Sequence, residues 1–140
     1  MAKFVLKDAV LTVSGTALSE YVNQVQMDMP TDEVELSGMG VTNKVFGRGL
    51  SDATITVTFL QDFAASKVDA TLWPLSSTDT PFAVTVKATS AAVSATNPLY
   101  TMAAALLYNY APISGSLGEA ASTEVAFRNA GSTGIVRTTS

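Results

Sequence analysis

The chain has 140 residues, 8 Lys and Arg against 12 Asp and Glu, and neither histidine nor cysteine, for a formal charge of -4. Without a thiolate or an imidazole it is excluded from Ser-His and Cys-His catalysis, zinc fingers and most transition-metal sites, and its singly scattered cations form no basic stripe for tight nucleic-acid binding. Charged residues make up only 14% of the chain, against about 25% in an ordinary soluble domain, so its faces are neutral Ala, Thr, Ser and Val that another protein covers at little desolvation cost, as in an assembly subunit.

A single domain over residues 1–140 is expected from this length. The opening Met1-Ala2-Lys3-Phe4 starts no long apolar run, and no stretch reaches about 18 uninterrupted apolar residues, so neither a leader nor a membrane segment is expected. A short strand is predicted over 9–13, ending at the turn signal Ser14-Gly15. Val25, Met27 and Met29 then alternate with Gln24, Gln26 and Asp28, and Pro30-Thr31-Asp32 turns the chain into Val34 and Leu36 alternating with Glu33 and Glu35. The pattern predicts a hairpin with one apolar and one acidic face.

Residues 37–52 follow as a long inter-strand loop with Gly38, Gly40, Gly47 and Gly49 interleaved with Met39, Val41, Val45, Phe46 and Leu50. A disordered connection is poor in such apolar residues, so the loop is expected to pack, over its own core or on a partner. Ala53, Ile55, Val57 and Phe59 alternate with Thr54, Thr56 and Thr58, a half-buried strand. One helix of about two turns is predicted, with Ser66 as cap, Asp69 in its first turn, Val68 and Leu72 on one face and Pro74 as its stop. Trp73 at its end reads as a core anchor.

Phe82, Val84 and Val86, then Thr123, Val125 and Phe127, repeat the period of two. Residues 97–110 contain Ala103-Ala104-Ala105, which favours helix, yet Tyr100, Met102, Ala104, Leu106, Tyr108 and Tyr110 keep a strand period, and strand is the reading adopted. Glycines at 115, 118, 131 and 134 set turns before a last short strand near Ile135-Val136. The sum is a mainly-β sandwich or barrel with one short flanking α-helix.

Catalytic signals are weak. Asp28, Asp32, Glu33 and Glu35 offer paired carboxylates, but their face reads as solvated, with no apolar pocket to raise a pKa for glycoside hydrolysis, and their spacing is not that of a calcium loop. Gly47-Arg48-Gly49 lacks the ending of a phosphate loop, and Asn97-Pro98-Leu99-Tyr100 reads as a turn rather than a peptide signal. No catalytic residue, metal ligand or cofactor is assigned.

Taken in order, Ala9-Val10-Leu11-Thr12-Val13, Leu18-Ser19-Glu20-Tyr21-Val22, Asp32-Glu33-Val34-Glu35, Gly49-Leu50-Ser51-Asp52-Ala53-Thr54-Ile55-Thr56-Val57, Asn97-Pro98-Leu99-Tyr100 and Gly115-Ser116-Leu117-Gly118-Glu119 resemble the major tail tube proteins of long-tailed, siphovirus-type bacteriophages. The resemblance spans nearly the whole chain. It implies a non-enzymatic virion protein, assembled in the bacterial host cytoplasm into homo-hexameric rings. These share an inner β-barrel and stack into a tube, with tape measure, tail tip and tail terminator proteins as partners. Double-stranded DNA then passes through without tight binding.

Four strands per subunit give about 24 strands at roughly 4.8 Å spacing, hence a backbone diameter of at least about 37 Å, enough for a duplex roughly 20 Å across. Acidic side chains repel phosphate, so Asp28, Glu33 and Glu35 are the candidates for the lumen. The 37–52 loop is the candidate inter-subunit contact, through Met39, Val41, Lys44, Val45, Phe46, Arg48 and Leu50. The competing readings are a carbohydrate-binding or adhesion β-sandwich module and the inner tube of a contractile injection system.

Overall fold

The computed structural model describes residues 5–140; the N-terminal expectation at residues 1–4 lies outside them. In chain order the elements are β1 (Val10–Val13), β2 (Thr16–Ala17), a single 3-10 turn (Ser19–Tyr21), β3 (Val22–Asp28), β4 (Thr31–Glu35), β5 (Phe46–Ser51), β6 (Thr54–Leu60), α1 (Val68–Leu75), β7 (Phe82–Lys87), β8 (Leu99–Asn109), β9 (Ser122–Asn129) and β10 (Ile135–Thr138). The mainly-β class and the one α-helix among the described residues match the sequence expectation.

Eight strands form one sheet in the order β2-β1-β7-β8-β9-β6-β3, with β10 beside the first half of β8. Their inward side chains meet in one cluster. Ile55, Val57 and Phe59 from β6, Val125 and Phe127 from β9, Val84 from β7, Met102 from β8 and Leu11 and Val13 from β1 are all sealed from water. A sheet that buries one face from edge to edge must curl onto itself, which gives the sandwich. Phe82 and Phe127 meet edge to face at 5.9 Å inside it. Val68 and Leu72 of α1 close the cluster from outside the sheet.

The first turn follows from the sequence: Ser14 (φ 50°) and Gly15 (φ 84°) take left-handed backbone, letting β2 fold back on β1. The ambiguous segment 97–110 is a strand, but its two-residue period does not hold throughout. Val84 pairs with Met102 and Phe82 with Ala105, so β8 carries an extra residue there. That bulge moves Ala105 and Leu107 to the buried side and puts Leu106 and Tyr108 on the outer one. Asn97 is buried as a turn clamp, its Nδ2 donating to the Ala91 carbonyl at 2.8 Å.

Several expectations are corrected. The predicted hairpin across Pro30 does not form, because β3 pairs with β6 and β4 pairs with β5 in a separate two-stranded sheet. The last part of the expected 37–52 loop is therefore strand β5, and the connection shortens to 36–45. Around α1, Ser66 does not cap. Its φ of 63° is left-handed, Lys67 occupies the cap position without a side-chain bond, and Asp62 braces the approach by accepting from the Ala64 N–H at 2.9 Å. Pro74 lies inside the last turn, and Trp73 points outward, 61% exposed, because Val68 and Leu72 take the buried face.

Candidate functional site

The outer face of β3, β6, β9 and the far half of β8 is set by the parity that buries Ile55, Val57 and Phe59. Register places side chains in rows across it. Gln24, Thr58 and Glu124 make one row, Gln26, Thr56 and Ala126 the next, and Asp28, Thr54, Arg128 and Leu106 the third. The face is a carpet of threonine and amide with few charges. Gln26 Nε2 donates to Asp28 Oδ2 at 3.1 Å, and Arg128 is paired with Asp52 at its edge. Asp28 and Glu124 are then its uncompensated charges, with no cation in ion-pair range among the described residues.

Both margins of this face are open strand edges. β3 ends the sheet, and its outer edge pairs with nothing among the described residues. β7 stops pairing with β8 at Ala105, which leaves Leu106–Asn109 unpaired on that side. Strands exposed in a monomer are usually blunted by Lys, Pro or a covering loop, and the sequence VNQVQMD of β3 has none of the first two.

From one end of the face, the β4–β5 ribbon leaves as an arm. Its base is tied by the Asp52 N–H donating to the Pro30 carbonyl at 2.8 Å and by the Thr31 and Ser51 hydroxyls at 2.9 Å. The arm buries almost nothing: Val34, Leu36, Met39, Val41, Val45, Phe46 and Leu50 are exposed. Glu33 faces Arg48, and Glu35 faces Phe46, across the ladder. Met39, Val41 and Lys44 lie in its tip.

The structure thus splits the expected lumen set. Asp28 stands on the sheet face, whereas Glu33 and Glu35 stand on the arm beside residues expected to touch another subunit. The sequence alone singles out none of Gln24, Gln26, Thr54, Thr56, Thr58 or Glu124, which the register gathers on this face. The signal was present in the threonines alternating with the β6 core, but their neutrality carried no chemical flag.

At the other end of the same face, residues 110–121 form a second exposed apolar feature. Tyr110 donates its hydroxyl to Asp69 Oδ1 at 2.7 Å, and Gln61 Nε2 donates to Tyr110 Oη at 3.2 Å and to the Pro112 carbonyl at 2.6 Å. Burial first, and then the bond to Asp69, push the Tyr110 hydroxyl up to about 12. The loop beyond is therefore anchored to α1, while Ile113 is largely and Leu117 fully exposed. No group of three or more His, Cys, Asp or Glu is disposed to hold a metal among the described residues, and no helix there is long and apolar enough to cross a membrane.

No protein-family model and no curated protein matches the sequence. Solved structures do match. One chain is from the cryo-EM structure of an extracellular contractile injection system, the PVC sheath/tube terminator in its extended state. Its TM-score is 0.74 at 15% identity, over 98% of this chain and 97% of that one. A chain of the PVC sheath-tube complex of an extracellular contractile injection system gives 0.71 at 14% identity, covering 99% and 93%. A chain from the tail of an empty gene transfer agent particle, computed with helical refinement and C6 symmetry, gives 0.70 at 13% identity, covering 94% and 96%. The fold of this chain is that of these tail and tube components.

Proposed function

We propose that the chain is a structural, non-catalytic tail tube subunit that closes side to side into rings and stacks into a conduit. One observation carries the reading: a neutral, polar sheet face bounded by two unpaired strand edges. β3, β6, β9 and β8 are each antiparallel to the next. Four alternating strands leave β8 of one copy antiparallel to β3 of its neighbour, so cyclic copies make one continuous antiparallel barrel with no edge remaining. Six copies supply about 24 strands, and the bore they enclose passes a duplex. The C6 symmetry of the gene transfer agent tail supports that number.

In this ring the carpet of Gln24, Gln26, Thr54, Thr56 and Thr58 lines the lumen, with Asp28 and Glu124 as its repelling charges. Thr and Gln hold water, and carboxylates keep phosphate from settling, so DNA moves through without tight binding. Glu33 and Glu35 travel with the arm and reach the bore only where the arm borders it. The arm carries Phe46 and its apolar neighbours to the next subunit or ring, and the tape measure, tip and terminator proteins meet the tube at its ends. The protein assembles in the bacterial host cytoplasm and resides in the virion tail. A bare tube of the siphovirus type is the first reading. The likeness to a sheath-tube chain favours a second, the same ring inside a contractile sheath.

Electron microscopy of the purified protein tests this directly. Rings or tubes with a central hole are expected. Dispersed particles at high concentration with tail initiation partners present would overturn the proposal in favour of a binding module. A sheath around the tube in native particles selects the second reading. Phe46 is half exposed and outside the core, so Phe46→Asp is expected to leave a folded protein that no longer polymerises.

A further inference from the structure

We infer that the loop carrying Leu117 at one end of the subunit seats in the groove at the foot of the β4–β5 arm of a second copy, making the axial joint of the tube. This rests on the tube-subunit reading and specifies its contact between rings.

The two surfaces lie at opposite ends of one ladder. Leu60 pairs with Ser122 beside the loop, and Thr54 pairs with Arg128 beside the groove. Six residue steps at about 3.3 Å separate them by roughly 20 Å, so the loop of a copy does not reach its own groove. The loop is preformed. The Glu119 N–H donates to the Ser116 carbonyl at 3.1 Å, and Gly118 has φ 85°, the left-handed position that a type II turn reserves for glycine. That turn holds up Leu117, which is fully exposed.

The groove has a volume of about 870 Å³, lined by Met29, Leu50 and Ile135 together with Arg48 and with Asp52, whose carboxylate is already paired with Arg128. Met29 and Leu50 are largely exposed, at 55% and 84%. Charge matches across the joint. Arg48 binds the Thr31 hydroxyl but has no carboxylate in ion-pair range, and Glu119 of the loop has no cation, among the described residues. A tip and a groove at opposite ends of one molecule form a heterologous contact that repeats by translation, as a stacked tube requires.

The chain has no cysteine, so cross-linking reads the joint without background. Tubes of the double variant Leu50→Cys with Leu117→Cys, gently oxidised, are expected to give a covalent ladder extending past the size of one ring. Each single variant should stay uncrosslinked. Tubes that form yet give no ladder overturn the joint and leave the tube reading intact, whereas absence of rings and tubes in the unsubstituted protein overturns the reading beneath. As a second readout, Leu117→Glu is expected to lower tube yield by about tenfold or more while rings persist. Undiminished tubes would also overturn the joint.

Discussion

Leu36 lies over Gly47, its Cδ1 2.7 Å from the place a Cβ on Gly47 would occupy. At Gly49 more atoms crowd in, backbone among them, with Val34 Cγ2 at 2.9 Å, Asp32 Cβ at 3.1 Å and the Asp32 carbonyl oxygen at 3.3 Å from the corresponding position. These glycines are thus a floor under Val34 and Asp32 of β4 and Leu36 just beyond it, and backbone as well as side chain must shift if Gly49 gains bulk. Gly49→Val is expected to distort the arm while leaving the core alone. Its unfolding free energy should change by less than about 1 kcal/mol, and sedimentation should show loss of large assemblies. Normal tubes from this variant would mean that the arm is not a joint.

The core makes the opposite prediction. Phe127 is wholly buried on β9 and packs edge to face with Phe82 at 5.9 Å. Phe127→Ala removes that ring and leaves a cavity between the two layers, at a cost of about 3–5 kcal/mol. Urea unfolding of the unassembled protein measures it. A cost under about 1 kcal/mol would show that the sheet does not close over this residue.

Much of this architecture was legible because burial has a period. Ile55, Val57 and Phe59, like Val125 and Phe127, announce both the strand and its inward face. Pairing is harder to read, since the alternation of Val25 and Met27 is the same whether β3 pairs with β4 or with β6. Pro30 invited the local hairpin, yet β3 pairs with β6, and the Pro30 carbonyl accepts from the Asp52 N–H in the link between β5 and β6, closing the base of the arm instead. Gly47 and Gly49 read only as loop glycines because their use depends on Val34 and Leu36 across the ladder. The polar face hid for a related reason: threonine and glutamine become a surface only once four strands are placed side by side.

The Tyr110 hydroxyl sets an alkaline limit. Its burial and then its bond to Asp69 hold it protonated to about 12, above the ordinary value of 10.0. The unfolded chain releases this proton first, so the contribution to stability is complete below pH 10 and is lost as pH rises from there towards 12. Tyr110→Phe is expected to cost about 1 kcal/mol at neutral pH, from the lost hydrogen bond. It should also flatten the decline of melting temperature between pH 10 and 12 relative to the unsubstituted protein. Parallel declines in the two proteins would show that Tyr110 is not the group responsible.

The proposed bore is tested by changing the charge of its face without touching the core. Thr56 sits in the middle row, flanked by Gln26 and Ala126, with its side chain on the polar face. Thr56→Lys points an ammonium outward from that row and leaves Ile55 and Val57 buried, so folding and ring closure are expected to persist. Each ring then gains one cation per copy at a single height, which is the arrangement that condenses phosphate and releases counterions. Assembled tubes of the variant are expected to retain duplex DNA at low ionic strength and to release it steeply as salt rises, whereas unsubstituted tubes retain little at any salt. Co-sedimentation across a salt series measures both. If Thr56→Lys tubes ignore DNA throughout while an equivalent lysine on the outer helix, at Ala70, captures it, the face of β3, β6, β9 and β8 does not line the hole.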